Sequence, residues 1–357
     1  MVILRNDVLT SVRHQLPERV PAYVEGFDDE QTLCRAFGMA DVQALLDRLG
    51  VSVREVITPL SDVYVGNTPQ DENGHHLDPF GVPFSCTYAD VVGIHPLVGA
   101  ESIAEVETYS WPNPDHFDYQ RVELEAKNLS PLYAVKGGWA PVFCQVMNFF
   151  GIEEAMINMK TCPEIIEATV AHILAFYLCV LERVYNVCQG YLDFAPLGDD
   201  FAGQHGPLIS PDVWRHFFKQ AYVSLFEQAK EHGLMIWFHA CGTFREVLPD
   251  LVDAGLDVWA PVQTHLVGNN PVELKREYGK HITFAGGIST QWTLPFSSPE
   301  DVRAEVRERI QVLGRGGGYI CGPDHTVRPE VPVENVKALF DEIRSFRAEG
   351  ITRDGSE

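Results

Sequence analysis

The chain has 357 residues, of which 45% are apolar, and its 50 acidic and 27 basic residues give a formal net charge of -23 at pH 7. A chain of this length and composition can bury a large core, so we expect a globular protein. Its negative field argues against nucleic acid or an anionic membrane surface as a partner, because that field would repel phosphate groups.

The distribution of apolar residues predicts neither export nor a membrane span. No apolar run reaches the roughly 18 residues that cross a bilayer, and the first residues lack the cationic and then apolar layout of a signal peptide. The eight cysteines are scattered along the chain rather than spaced as a disulfide framework, so most should be reduced thiols. Together these observations predict a cytoplasmic protein.

The first half of the chain contains few clear elements. Short apolar runs at 21–24 and 142–146 are candidates for strands. Between them, a segment at about 61–118 is rich in proline, glycine, asparagine and histidine, and we interpret it as an inserted loop region. Its adjacent pair His75 and His76 could ligate a metal, but histidines side by side in a polar loop are more often solvated.

From about residue 191 onward, short apolar runs alternate with amphipathic helical segments, which is typical of repeated βαβ units. Each run ends in glycine or polar residues, and strands buried on both faces have this form. The predicted strands lie at 192–200, 234–242, 256–263, 281–288 and 317–323. With the earlier candidates they make about eight, the number that closes a TIM (β/α)8 barrel. We expect one such domain over 1–357, with an N-terminal extension and the inserted loop region; a doubly wound open sheet is the alternative.

Helix starts support this alternation. Ser210 and Ser298 are each followed by proline, so each serine can cap a helix that has proline at its first position. Glycine at 314 ends an apolar stripe in the second of these helices. The stripe consists of Val302, Val306, Ile310 and Leu313. No Gly-x-Gly-x-x-Gly follows a predicted strand, so a dinucleotide site is not expected.

The predicted strands end in residues that can carry chemistry, and the carboxyl ends of the strands form the active face of a parallel barrel. His239 and Cys241 lie two positions apart at one strand end, so both side chains can point at one ion. With a third nitrogen or sulfur donor they would suit zinc and leave a fourth position for a substrate. The other polar residues at strand ends are Asp199, Asp200, Gln263, Ser289, Cys321 and His325.

Several of these side chains also have a plainer interpretation. Asp199 and Asp200 are candidates for orienting the substrate or for proton transfer, or they could be solvated and lie at the start of the next helix. Gln204 and His205, in the loop that follows, could contact the substrate or cap backbone groups. Gln263 is a candidate for binding the substrate or for the surroundings of the ion.

Longer motifs resemble the uroporphyrinogen decarboxylase superfamily over most of the chain. The stretches that carry the resemblance include GDDFAGQHGPLISPDVWRHFFK, FHACG, PVQTHLVGNNPVELKREYG, FAGGISTQ and GYICGPDHTVRPEVPVENV. They look closest to the branch that contains the cobamide-dependent methyltransferases, such as the methylcobamide:coenzyme M enzymes. The resemblance implies a TIM barrel, in agreement with the strand pattern. Dimers are common among these relatives, and a homodimer stays open here.

The resemblance also implies a ligand set. In those methyltransferases a His-x-Cys motif and a later cysteine bind zinc, and the zinc activates a thiol that takes a methyl group from a corrinoid protein. His239 and Cys241 match the first two ligands. Counted back from the PEVPVEN pattern at 329–335, the third falls on His325, whereas the nearest cysteine lies four residues earlier at Cys321. Either residue would keep a Zn2+ site.

The decarboxylases of the superfamily also have a histidine at the position of His325, which makes this residue a catalytic candidate as well. They hold substrate carboxylates with an arginine-rich motif near the first strand, where this chain has VPAYVEG at 20–26. An acidic protein without that cluster would bind a polyanion poorly.

We therefore expect a zinc-dependent methyltransferase that passes a methyl group between a small substrate and a methylcobamide carried by a partner corrinoid protein, in demethylation or methyl transfer. A lyase acting on another carboxylated substrate is the first alternative. A barrel that only binds a ligand is the second.

Overall fold

The structure, a computed structural model, describes residues 4–62, 77–82, 95–347 and 350–351. His75, His76 and Cys86 lie outside these ranges. Seven parallel strands form the central sheet: β1 (Val53–Val56), β2 (Ala134–Gly137), β3 (Phe194–Gly198), β6 (Met235–His239), β7 (Val258–Val262), β8 (Thr283–Ile288) and β9 (Tyr319–Pro323). Two short strands, β4 (Ala202–Gly203) and β5 (Gly206–Pro207), pair with each other as a separate antiparallel hairpin. All five strands predicted in the second half are thus confirmed.

Residues 21–23 close the curled sheet at the eighth position. Ala22 forms parallel bridges to Val51, just before β1, and to Cys321 in β9. The N–H of Tyr23 donates to the carbonyl of Cys321 at 2.9 Å, and the N–H of Cys321 donates to the carbonyl of Pro21 at 2.9 Å. The two edges of a seven-stranded sheet are therefore joined, and the predicted TIM-barrel fold is confirmed.

The helices surround this sheet. The described α-helices are α1 (Arg5–Val12), α2 (Glu30–Phe37), α3 (Val42–Leu49), α4 (Ile103–Thr108), α5 (Tyr119–Leu129), α6 (Phe143–Phe150), α7 (Ile152–Thr161), α8 (Pro163–Val187), α9 (Pro211–Trp214), α10 (Gln220–Glu231), α11 (Leu248–Ala254), α12 (Pro271–Tyr278), α13 (Thr293–Phe296), α14 (Pro299–Leu313) and α15 (Val333–Ser345). A 3-10 turn at Pro114–His116 and a π-helical turn at Arg215–Lys219 complete the set. Helix α4 and the 3-10 turn fall inside the region that the sequence predicted to be loops.

The strand predicted at 142–146 is wrong, because these residues begin α6. The carboxylate of Asp199 accepts the backbone N–H of Phe143 and that of Cys144, and so satisfies donors at the start of the helix. A short apolar run buried on most sides does not distinguish a strand from a buried helix. The strand of this part of the barrel is β2, earlier in the chain.

Large side chains fill the interior of the barrel. Trp237 packs its ring against those of Tyr23 and Phe194, with centroids 5.2 and 5.4 Å apart. The same inner layer contains Val53, Ala134, Val258, Ala260, Ala285 and Ile320. Because this layer is closely packed, a ligand can enter only at an end of the barrel.

Among the described residues, α8 is the one helix whose length and hydropathy would allow it to cross a membrane. It packs against α4, α5 and α10 as part of the helical layer. Eleven of its residues are buried, from Ile165 to Tyr185, so its apolar character serves the core.

The predicted helix starts are confirmed at both serines. Ser210 accepts the N–H of Val213, and Ser298 forms a complete capping box with Asp301 at the start of α14. The apolar stripe of α14 is fully buried and faces the barrel.

Replacing Ser298 by alanine should lower the free energy of unfolding by about 1 kcal/mol, because helix α14 loses the side chain that caps its N-terminus. Denaturant unfolding of the variant beside Ser298→Thr, which keeps the hydroxyl, would measure this. Equal destabilisation by both substitutions would contradict a capping role.

Candidate metal and active site

The sequence HACG at the end of β6 places an imidazole and a thiol together. Sγ of Cys241 lies 3.6 Å from Nε2 of His239, at the carboxyl end of the barrel. Asp200, which follows β3, brings a carboxylate oxygen within 3.5 Å of the same nitrogen. One donor atom from each of Asp200, His239 and Cys241 can be chosen so that all three lie within 4.8 Å of one another. The neighbouring strands β3 and β6 thus build a group of possible ligands.

His325, two residues after β9, lies near this group and interacts with the Cys241 thiol, although the atoms that lie within 4.8 Å of one another belong to Asp200, His239 and Cys241 alone. That contact, opposed by burial and assisted by the negative charge of Glu25, raises the pKa of His325 to about 9. We call Asp200, His239, Cys241 and His325 the donor cluster.

Two carboxylates govern the charge of His239. Oε1 of Glu25 lies 3.3 Å from Nδ1, on the opposite edge of the imidazole from Asp200. Burial lowers the pKa of His239, but the charge of Glu25 and the contacts with Asp200 and Cys241 outweigh it and hold the pKa well above the ordinary value. For Asp200, burial raises the pKa, and the interaction with His239 reverses this so that the net pKa is lowered. Without a metal, the cluster therefore favours imidazolium beside carboxylate.

The backbone turn at Gly242, next to Cys241, is held in one conformation by its neighbours. Gly242 has a φ of 84°, and a Cβ there would meet the carbonyl oxygen of Gly203 at 2.4 Å. Only glycine fits this conformation and this close approach. Oε1 of Gln263 accepts the N–H of Gly242 at 2.7 Å, and Nδ2 of Asn269 donates to its carbonyl at 3.0 Å. Gln263, predicted as a contact of ion or substrate, is buried and holds this turn.

Asp199 and Asp200 are adjacent, but the structure separates their surroundings. Asp199 is 1% exposed, and besides the two N–H groups of α6 it accepts the hydroxyl of Tyr222. Burial raises its pKa to about 6, although these hydrogen bonds oppose the rise. The carboxylate of Asp199 thus faces α6 and α10, whereas that of Asp200 faces His239.

Cys321 faces away from the cluster. Successive side chains of a strand alternate between faces, and on β9 the neighbour Ile320 points into the barrel. Cys321 is fully buried in the layer between barrel and helices, where its thiol interacts with Tyr319. Burial raises its pKa to about 12. The structure therefore brings His325, and not Cys321, to Cys241.

Gln204 and His205 form the tip of the β4–β5 hairpin and are exposed. Nε2 of Gln204 donates to Oε1 of Gln291 at 3.0 Å, which links the hairpin to the loop after β8. Neither residue has a described contact with the donor cluster. Both lie on the rim rather than in the centre of this end of the barrel.

Sequence reasoning did not assign a role to three charged residues near the cluster, Glu25, Glu55 and Lys136. Glu25 follows the closing segment of the barrel, and its Oε2 is buried with no described hydrogen-bond partner. Lys136 in β2 pairs with Glu55 in β1 at 2.6 Å and lies over the ring of Trp237. Trp139 stands edge-on to His239, with centroids 5.8 Å apart. The sequence did contain a signal for Glu25, Glu55 and Lys136, because a charged residue in or next to a barrel strand usually has an ionic partner or a functional role.

The donor atoms of the cluster are of types that could hold a metal ion such as zinc. Two imidazoles and one thiol are borderline-soft donors, and three protein ligands leave an open position for a substrate. The carboxylates of Glu25 and Asp200 flank His239, as groups that orient a ligand histidine do. The unpaired oxygen of Glu25 adds a buried acceptor that a cation or a proton would satisfy.

Fold and site together define a TIM barrel with possible metal ligands at the carboxyl ends of its strands. The family described as uroporphyrinogen decarboxylase (URO-D) matches residues 96–346, which is more than half of the 357 residues. The chain belongs to this family, as the sequence motifs indicated.

The curated relatives include a methyltransferase and a decarboxylase. The chain is 27% identical over 132 residues to the methylcobamide:CoM methyltransferase MtaA of Methanosarcina barkeri, covering 37% of this chain and 36% of that protein. It is 23% identical over 146 residues to a uroporphyrinogen decarboxylase of Coxiella burnetii, covering 40% and 38%. The matched segment thus spans less than two fifths of either relative.

A solved structure, a methyltransferase from Methanosarcina mazei, superposes over nearly the whole length. The TM-score is 0.69, with 19% sequence identity over 97% of this chain and 99% of that one. At this identity the likeness supports the fold.

The raised pKa of His325 predicts how the metal-free protein responds to pH. Because the folded-state pKa of about 9 exceeds the unfolded value of about 6.5, protonation stabilises the fold fully below pH 6.5. This stabilisation is lost as the pH rises through 9. In chelator-treated protein, the stability advantage of wild type over His325→Gln should therefore shrink between pH 6.5 and 9. A stability difference between wild type and His325→Gln that stays constant across that range would contradict the raised pKa of His325.

Proposed function

We propose that the protein is a zinc-dependent methyltransferase that moves a methyl group between a small substrate and a corrinoid protein. The observation that carries the proposal is the Cys241 thiol 3.6 Å from Nε2 of His239 at the carboxyl end of the barrel, with His325 near enough to interact with that thiol. When bound there, zinc would hold a thiol or similar group as its anion, and so as a nucleophile. Membership of the URO-D family and the likeness to MtaA support this chemistry.

We assign the zinc ligands to His239, Cys241 and His325. Cys321 would have to leave a buried position and turn to the other face of β9 to take part. A thiolate and two neutral imidazoles bound to Zn2+ give a net charge of +1. The carboxylates of Glu25 and Asp200 then neutralise charge around the site in place of the protons that the metal-free imidazoles hold.

Asp200 is the better of the two predicted aspartates for a direct role. It lies beside His239 and is half-exposed, so it can contact both a ligand and solvent. It would orient the substrate, or act as a further ligand while no substrate is bound. Asp199 is assigned a structural role as the cap of α6, because its hydrogen bonds use both oxygens within the protein.

The methyl carrier would be a methylcobamide on a separate corrinoid protein, which must reach the carboxyl end of the barrel. The exposed hairpin residues Gln204 and His205 stand on the rim of that end, where a substrate or the carrier would approach. The seven described cysteines form no disulfide, in keeping with a reaction in the reducing cytoplasm.

Decarboxylation is the second candidate, favoured by the decarboxylase among the relatives. The negative charges near the cluster oppose the binding, and so the decarboxylation, of a polyanionic substrate. Glu25, Glu55 and Asp200 are acidic, and the nearby Lys136 is already paired with Glu55. Release of carbon dioxide that persists after removal of zinc would favour this candidate over methyl transfer.

Metal content provides the test of the ligand assignment. Protein purified without chelators should contain about one zinc per chain, and His239→Ala, Cys241→Ala and His325→Ala should each lose most of it while keeping the fold. Elemental analysis beside circular dichroism would measure both.

Cys321→Ala is the matched control, since it also removes a thiol at a strand end. It should retain zinc and lose only stability. Zinc lost in Cys321→Ala but retained in His325→Ala would reverse the assignment, and no zinc in the wild type would overturn the mechanism.

A further inference from the structure

A charged pair lies on the inner face of the barrel and takes no part in the donor cluster. Lys136 in β2 is 8% exposed, and its Nζ lies 2.6 Å from Oε2 of Glu55 in the neighbouring strand β1. The ammonium also stands over the ring of Trp237, 5.6 Å from the centroid. The side chain of Glu55 is 35% exposed, so a ligand can reach the pair.

Strand geometry places this pair one step above the packed inner layer of the barrel. Glu55, Lys136 and His239 each follow a member of that layer by two residues. All three side chains therefore point to the same inner face, nearer the carboxyl ends of their strands. The members of the layer that precede them are Val53, Ala134 and Trp237. The charged pair and the histidine of the donor cluster thus lie at one level of the barrel.

Backbone register brings Glu55 close to Glu25. Ala22 forms a parallel bridge to Val51. Three residues further along each strand, Glu25 comes level with Arg54, the residue before Glu55. Neighbouring strands are about 4.8 Å apart, so one small ligand can contact both carboxylates.

Both carboxylates also lie near the donor cluster. Oε1 of Glu25 is 3.3 Å from Nδ1 of His239, while Oε2 is buried and has no hydrogen-bond partner among the described residues. Burial, and after it the negative charges of Glu25, Glu55 and Cys241, raises the pKa of the Tyr23 hydroxyl well above its ordinary value. A single buried phenol therefore interacts with Glu55 and with the thiol, so these two groups lie at the same end of the barrel.

Stability does not explain an ion pair at this position. Removing two charges from water costs about as much as their attraction returns, and apolar residues of similar volume are often at least as stable. The layer beneath the pair is apolar, so its packing does not call for charge here. Two opposite charges beside the open end are instead suited to a ligand that carries both charges.

We propose that Lys136 and Glu55 select a zwitterionic thiol, one that carries an ammonium and a carboxylate group, as the small substrate. This inference rests on the proposed methyltransferase function, in which zinc holds the thiol. Lys136 has three N–H donors, of which Glu55 accepts one, so it can also donate to the substrate carboxylate. The substrate ammonium donates to Glu55 and to Oε2 of Glu25. A substrate with only one of the two charges is repelled by the like-charged member of the pair.

Three thiols that differ only in their charged groups test this selection. L-homocysteine carries both groups, 4-mercaptobutanoate lacks the ammonium, and 3-aminopropanethiol lacks the carboxylate. Calorimetric titration of the zinc-loaded protein at neutral pH gives the Kd of each thiol. Wild type should bind L-homocysteine at least about tenfold more tightly than either analogue, because a charged hydrogen bond contributes about that factor. Equal affinity for the three thiols would overturn the inference.

Two variants separate substrate selection from a structural role. Glu55→Gln combined with Lys136→Met removes both charges without leaving either unpaired, so the protein should fold and keep zinc while the three affinities converge. Glu55→Gln alone should weaken binding of L-homocysteine and 3-aminopropanethiol but strengthen that of 4-mercaptobutanoate, since it removes a repelling carboxylate. Circular dichroism and zinc content check both proteins. A pair that only supports the fold would leave the ratios of the three Kd values unchanged in both variants, which would also overturn the inference.

Failure of the proposed function gives a different result. Wild-type protein that binds no zinc, or zinc-loaded protein that binds none of the three thiols, would overturn that function and the inference with it. The preference among thiols that do bind is the result specific to Lys136 and Glu55.

Discussion

The backbone turn at Gly242 is the constraint on which the whole site depends. Its left-handed conformation and its contact with the backbone of Gly203 allow Cys241 to turn back towards His239 over the end of β6. Gln263 and Asn269, from the loop after β7, hold the two polar groups of that glycine. The position of the thiol is thus set by a backbone turn that two buried side chains hold and by the packed barrel beneath, as a preorganised ligand requires.

Charge compensation explains the other features of the site. Without a metal, Glu25 and Asp200 favour protonated imidazole, and the pKa values of His239 and His325 are raised accordingly. A bound divalent cation would displace those protons and meet the same carboxylates. One set of acidic residues can therefore stabilise both states, which makes metal affinity sensitive to pH. The buried thiol of Cys321 has no such surroundings and belongs to the core.

The second half of the barrel could be predicted from the sequence because its strands are continuous apolar runs with polar ends, such as 234–242 and 281–288. The pairing of His239 with Cys241 followed from the two-residue period of a strand. The helix at Phe143–Phe150 could not be distinguished from a strand, since its cap, Asp199, lies 56 residues away in the chain. For the same reason Asp199 and Asp200 could not be distinguished in the sequence, because the contact with α6 that sets Asp199 apart is distant in the chain. Glu25 escaped notice because it meets His239 only when the barrel closes.

X-ray absorption at the zinc edge of the purified wild-type protein tests the central claim most directly, because it counts the sulfur atoms bound to the metal. We predict one sulfur at about 2.3 Å and at least two nitrogen ligands at about 2.0–2.1 Å. This result would place zinc on Cys241 and two imidazoles, with oxygen completing the shell. Two protein sulfurs in the first shell would contradict it, because the ligand assignment contains Cys241 as its single thiolate.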